Sequence, residues 1–121
     1  MISIRRFFRS FKHALHGLWL IARREQSFRL QLFAAIVVFI AALLLPLAVW
    51  EFVLVLLLIG AILVLEVMNS IIESISDALK PRFHPMVKEV KDMMAGAVLI
   101  MAIISVVIAW MIFYPHLSVL F

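Results

Sequence analysis

Glu66-Val-Met-Asn69-Ser-Ile-Ile-Glu73-Ser-Ile-Ser-Asp77 follows, without a break, fourteen residues (52–65) that carry no polar side chain. Its four polar positions of interest, Glu66, Asn69, Glu73 and Asp77, stand at offsets of 0, 3, 7 and 11. At ~100° per residue they fall within an arc of roughly 80° on one helix face. Counted from Phe52 at 1.5 Å per residue, Glu66 lies about 20 Å along that helix, inside a hydrocarbon layer or near its edge. An ionisable group at that depth costs about 2.5–3.5 kcal/mol on insertion scales. A row of carboxylates there calls for cationic partners, and the rest of the chain is read outward from that demand.

The composition agrees with a membrane setting. Of 121 residues, 67% are hydrophobic, and the mean hydropathy is +1.21. The length allows one small domain, read over residues 1–121. With no cysteine there is neither a disulfide framework nor a thiolate metal site. The net charge of +4 hides a pattern: Arg5, Arg6, Arg9, Lys12, Arg23, Arg24 and Arg29 lie before the first apolar run, and Lys80, Arg82, Lys88 and Lys91 form the other block. Basic blocks that flank apolar spans indicate membrane topology, and no nucleic-acid partner is expected. The N-terminus alternates bulky apolar and basic residues, unlike a signal peptide.

Residues 3–26 read as an amphipathic surface helix. Phe7, Phe8, Phe11, Leu15, Leu18, Trp19 and Ala22 form its apolar stripe; Arg5, Arg9, Lys12, His13, His16 and Arg23 form its polar side. Gly17 in its middle would permit a bend or a close approach. Residues 30–50 form a first span, with Pro46 and Trp50 near its far end. Residues 52–72 form a second span whose polar continuation runs to 79. The prolines at 81 and 85 predict a loop over 80–85, with helix resuming near Met86. Residues 93–114 form a third span, and Ala95, Gly96 and Ala97 at its start suit close helix packing. The fold class is therefore an all-α membrane protein: three transmembrane helices plus an N-terminal amphipathic surface helix. Both basic blocks then share one side, which predicts a multi-pass membrane protein with its N-terminus cytoplasmic and its C-terminus outside.

On the cytoplasmic side Glu25, Glu66, Glu73, Asp77, Lys91 and Asp92 converge on one interface level. Carboxylates suit Mg²⁺ bound together with substrate phosphates, and Lys91 suits a phosphate. Metal, cation and a carboxylate for a hydroxyl are the parts that phosphoryl transfer needs. No Walker loop or kinase glycine loop occurs. Two other readings of the same acids stand beside this one: ion pairing with Lys91 and neighbouring arginines in a non-catalytic membrane assembly, and cation conduction. The latter is poorly served by 52–65, which offers no polar side chain.

The twelve-residue stretch resembles the signature E-x-x-N-[ST]-x-x-E-x-x-x-D of the small prokaryotic diacylglycerol kinases. Glu25-Gln-Ser27-Phe28-Arg29 is similar to that family's E-x-x-F-R element, and His84-Pro with Lys91-Asp92-Met-Met-Ala-Gly-Ala-Val is similar to the start of its third span. The resemblance runs from about residue 7 to 115. It implies a homotrimer with shared active sites that moves the γ-phosphate of ATP, with Mg²⁺, to a membrane lipid alcohol. By position it implies Glu66 as the catalytic carboxylate, Glu25 and Glu73 as metal ligands, and Arg6, His13, Glu25, Glu73, His84, Lys91 and Asp92 as the ATP-binding set. It implies Ser27, Phe28, Arg29 and Asn69 on the lipid side, and Asp77 as support for Lys91. Leu30-Gln31 and Met94-Ala95-Gly96-Ala97 depart from the pattern of the diacylglycerol-using branch, and Phe7-Phe8-x-Ser-Phe, His84-Pro85 and Ala-Gly-Ala-Val look more like the undecaprenol kinase branch.

Overall fold

A computed structural model describes residues 3–79 and 84–121. Four helices follow one another: α1 (Ile4–Arg24), α2 (Gln26–Leu44), α3 (Val49–Leu79) and α4 (His84–Leu120). Three of them, α2, α3 and the stretch Pro85–Leu120 of α4, are long and apolar enough to cross a membrane. At 1.5 Å per residue α2 is about 28 Å long, which matches a hydrocarbon core of ~30 Å. By the same measure α3 spans about 46 Å and overshoots that core by roughly three turns.

α1 is capped by Ser3, whose Oγ accepts the Arg6 N–H at 3.4 Å. No residue of α1 is buried. Phe7, Phe8, Phe11, Leu15, Leu18 and Trp19 all stay exposed, as a helix lying in the headgroup layer requires. The helix passes straight through Gly17, where an added Cβ would meet nothing within 4 Å among the described residues. A single extended residue, Glu25, separates α1 from α2 (φ −107°, ψ 113°).

The first crossing starts and ends earlier than the apolar run suggests. Leu45, the residue before Pro46, is extended (φ −93°, ψ 151°) and closes α2. The ring of a proline disfavours helical geometry in the residue before it. Trp50 and Glu51 therefore begin α3 instead of ending the first span. Glu51 reaches back to accept the Ala48 N–H at 2.8 Å, which is half of a capping box. At the other end of the bundle α4 is already helical at His84. Pro85 sits in its first turn, where its missing N–H costs nothing. Residues 80–83 of the expected loop lie outside the described residues. α4 also continues through Pro115 to Leu120 instead of ending near Tyr114.

α3 packs against both α2 and α4, and α1 against α2. The packing centre lies in the half of the bundle that holds the α2–α3 turn (the outer half, as against the inner half at the α1–α2 corner): Ala42, Val55 and Ile112 are buried, ringed by Val38, Leu47, Phe52, Leu54, Ile59, Ile108 and Phe113. Lipid tails are as apolar as these side chains, so close van der Waals fit holds the cluster together. The small residues at the start of the third span do not serve this packing. An added Cβ at Gly96 would meet nothing within 4 Å among the described residues, and Ala95 and Ala97 are exposed.

Val55 is 2% exposed at the middle of the cluster. Val55→Ala is expected to lower stability by about 1–2 kcal/mol through the cavity it leaves. Leu44→Ala, at a side chain 80% exposed, is expected to change it by less than about 0.5 kcal/mol. Denaturant titration of the helical signal in detergent micelles measures both, and equal effects would show that the cluster is not the packing centre.

Candidate functional site

The buried side of α3 changes character along its length. Val55, Leu58, Glu66, Ser70 and Ser76 are its buried residues, and at ~100° per residue they share an arc of about 120°. The outer part of this face is apolar, and the inner part turns polar with no change of direction. Glu66 is 5% exposed. Asn69 and Glu73 are half-buried, and Asp77 is exposed. The acidic stripe thus climbs from the packed interior to the surface within three turns. Measured from Val49, Glu66 lies about 25 Å down the helix and Asp77 about 42 Å, so a ~30 Å core would end between them.

Two further carboxylates act on Glu66 through their charge. Glu25, at the α1–α2 corner, and Glu73, two turns along α3, both lie within electrostatic reach of it. A cavity of about 160 Å³ lies beside Glu25, lined by Gly17 and Arg24 from α1, by Glu25 itself and by Ser70, Ile71 and Ser74 from α3. Close acids at low dielectric repel one another strongly, which favours a cation among them. No group of three or more His, Asp or Glu among the described residues is arranged to hold a metal by itself. Mg²⁺ usually takes one or two carboxylates and completes its shell with water and phosphate oxygens. Glu25 and Glu73 fit that donor set.

The basic side of the site is less gathered. Lys91 Nζ lies 4.0 Å from Asp77 Oδ1, its side chain half-buried while that of Asp77 is 70% exposed. Asp92 turns away to Lys88 on its own helix, at 2.9 Å. Arg6 and His13 are exposed on α1, as is Ser27 at the start of α2. Phe28 is buried at the start of α2. Arg29 donates Nη1 to the Ala22 and Arg23 carbonyls at 2.9 and 2.8 Å. The His84 side chain lies outside the described residues.

Two polar features have no counterpart in the sequence reading. Glu51 and His116 pair at the opposite end of the bundle, Nε2 to Oε1 at 3.2 Å. The topology carried the signal for this: both residues occupy outer turns of neighbouring helices. Ser105 Oγ is buried without a hydrogen-bond partner among the described residues. It faces an apolar cavity of about 250 Å³ between α2, α3 and α4, which Gln31, Ala34, Ala35, Ala102 and Ala109 also line.

Comparison with known proteins converges on one family. A model of the prokaryotic diacylglycerol kinases matches residues 12–113. An undecaprenol kinase of Bacillus subtilis is 41% identical over 115 residues, covering 95% of this chain and 94% of that protein. A diacylglycerol kinase of Synechocystis is 31% identical over 109 residues, covering 89% of this chain and 62% of that protein.

Glu66→Gln preserves side-chain shape and removes a charge from a buried position. It is expected to raise stability by about 1 kcal/mol or more. Asp77→Asn disturbs only a long, exposed ion pair and is expected to cost less than about 1 kcal/mol. Thermal unfolding in detergent checks both; a marked loss for Glu66→Gln would mean that its charge is already paired within the chain.

Proposed function

The chain belongs to the prokaryotic diacylglycerol kinase family, and on that premise we propose that it transfers the γ-phosphate of ATP to the hydroxyl of a membrane lipid alcohol, with undecaprenol favoured over diacylglycerol as acceptor. One observation carries the reading most directly: a buried carboxylate, Glu66, sits where the apolar face of α3 turns polar, within reach of Glu25 and Glu73. A lipid hydroxyl and a water-borne nucleotide can meet only at such a boundary.

In this mechanism Glu66 accepts the proton of the lipid hydroxyl as the hydroxyl oxygen attacks the γ-phosphorus. The bond from that phosphorus to the bridging oxygen breaks, and ADP leaves with the bridging oxygen. Glu25 and Glu73 would hold Mg²⁺ together with the nucleotide phosphates, and the ion would neutralise charge on those phosphates. Lys91 faces the phosphate oxygens as a point charge, and Asp77 at 4.0 Å keeps it turned toward the stripe. Asn69, one turn beyond Glu66, orients the acceptor hydroxyl. By their positions in the family's pattern Arg6, His13, His84 and Asp92 would serve the nucleotide, and Ser27 the lipid.

The acceptor preference rests on the relative that this chain matches over nearly its full length, an undecaprenol kinase, and on Gln31 and Ala95, where the sequence departs from the diacylglycerol-using pattern. The apolar cavity beside Ser105 offers a place for part of an isoprenoid chain. The protein would lie in the bacterial inner membrane with its N-terminus in the cytoplasm, where ATP is present. It would work as a homotrimer, which would cover the exposed small residues around Gly96.

Purified protein supplied with γ-labelled ATP, Mg²⁺ and both lipids is expected to label undecaprenol in preference to diacylglycerol. Glu66→Gln is expected to lower turnover by about 100-fold or more while the protein still assembles. Glu73→Gln is expected to raise the Mg²⁺ concentration needed for half-maximal rate. Labelling of neither lipid by the wild-type protein would overturn the kinase reading; a preference for diacylglycerol would overturn only the acceptor.

A further inference from the structure

Glu25 is joined to the rest of the site by the weakest of connections. It is the one residue between two helices, C-cap of α1 and N-cap of α2 at once, and its side chain makes no capping hydrogen bond. Its carboxylate is therefore left for other use, but its position depends on two dihedral angles. Left to itself, such a corner would swing the surface helix over a wide arc.

The bonds across the corner oppose that swing. The Glu25 N–H donates to the Ile21 carbonyl at 2.8 Å, and the Arg29 N–H donates to the Glu25 carbonyl at 3.3 Å. These continue the two helices on either side of the break. The guanidinium of Arg29 does something different. It lies one turn into α2, yet its Nη1 donates to the carbonyls of Ala22 and Arg23 at the end of α1. Those carbonyls belong to the last turn of a helix, whose acceptors lack intrahelical partners and carry the negative end of the dipole. A guanidinium is suited to satisfying two of them at once. Phe28, buried beside it, pins the start of α2.

We propose that Arg29 is a positioning residue for Glu25: by tying the first turn of α2 to the last carbonyls of α1 it fixes the corner, and so fixes the distance of the Glu25 carboxylate from Glu66 and Glu73. This rests on the reading of Glu25 as a ligand of the metal and nucleotide. It assigns Arg29 to the backbone of its own chain and not to the lipid headgroup.

Full-length wild type, Arg29→Gln and Arg29→Lys in lipid nanodiscs test this, read by amide hydrogen exchange over residues 19–29 and by steady-state kinetics on the same samples. In Arg29→Gln the amides at the end of α1 are expected to exchange about tenfold faster. The Mg²⁺ concentration for half-maximal rate is expected to rise about fivefold, with the lipid KM changed less than about twofold. Arg29→Lys, which keeps the cation but not the fork, is expected to restore both in part, and it carries the comparison where Arg29→Gln fails to assemble. A raised lipid KM with unchanged exchange would make Arg29 a substrate contact and overturn the proposal. Faster exchange with an unchanged Mg²⁺ requirement would detach the corner from Glu25 and overturn it equally. A wild type without ATP-dependent lipid phosphorylation would remove the kinase reading and the link to Glu25 with it, while the exchange measurement would still show whether Arg29 clamps the two helices.

Discussion

A carboxylate cannot sit at the edge of a hydrocarbon layer without an environment built for it. Glu66 is 5% exposed, and an ionised acid at the centre of a spanning helix costs about 2.5–3.5 kcal/mol. Two more acids, Glu25 and Glu73, lie within reach of its charge, which makes the local field worse, not better. That strain explains the layout of the inner half. The acidic face of α3 emerges to the surface within three turns, Lys91 is held 4.0 Å from Asp77, and a small cavity opens between Arg24, Glu25 and Ser70. Negative charge is gathered where a cation can reach it from water, and nowhere deeper.

The outer half is built on the opposite principle. Ala42, Val55 and Ile112 interlock without a polar group among them. The turn below them is closed by Glu51, which accepts the Ala48 N–H and pairs with His116. One side chain thus fixes the start of α3 and ties the end of α4 to it. With that end closed, the bundle can leave its inner end comparatively open. The division follows from packing: small and β-branched residues fill the gap between outer turns, whereas Glu66, Ser70 and Ser76 on the same face of α3 hold the helices around polar groups.

Much of this is legible in the residues themselves. Three apolar spans, the surface helix and the acidic face all follow from periodicity, because each is a local property of a helix. The places where the reading shifts are the ends. Pro46 stops α2 at Leu44 through its effect on Leu45, so Trp50 and Glu51 pass to α3, while Pro85 is tolerated in the first turn of α4 and does not delay it. A proline breaks a helix or starts one depending on which residue's N–H is already spare, and hydropathy does not carry that information. The polar set was likewise only partly legible. The grouping of Glu25 with Glu66 and Glu73 follows from depth in the membrane. The pairing of Glu51 with His116, 65 residues apart, needs the antiparallel arrangement of α3 and α4. Phe28 and Arg29 read as ligand-facing in one dimension; in three, Phe28 is buried and Arg29, still exposed, donates to the carbonyls that end α1.

The two halves together explain why phosphoryl transfer to a lipid would be done by so small a chain. The reaction needs an acceptor that never leaves the bilayer and a donor that never enters it. A hydroxyl at headgroup level reaches the inner end of α3 by lateral diffusion, along a helix whose outer part is apolar and closed. On that reading a triphosphate would reach the same level from the water side, past a surface helix rich in arginine. Neither substrate has to be enclosed for the two to meet, so no large nucleotide-binding domain is required. What is required is that carboxylates on two separate helical segments keep their spacing at the boundary. On the proposed reading α3 would supply two of them on one continuous helix and the corner at Glu25 the third, which would make the stiffness of that corner as much a part of the site as the acids themselves.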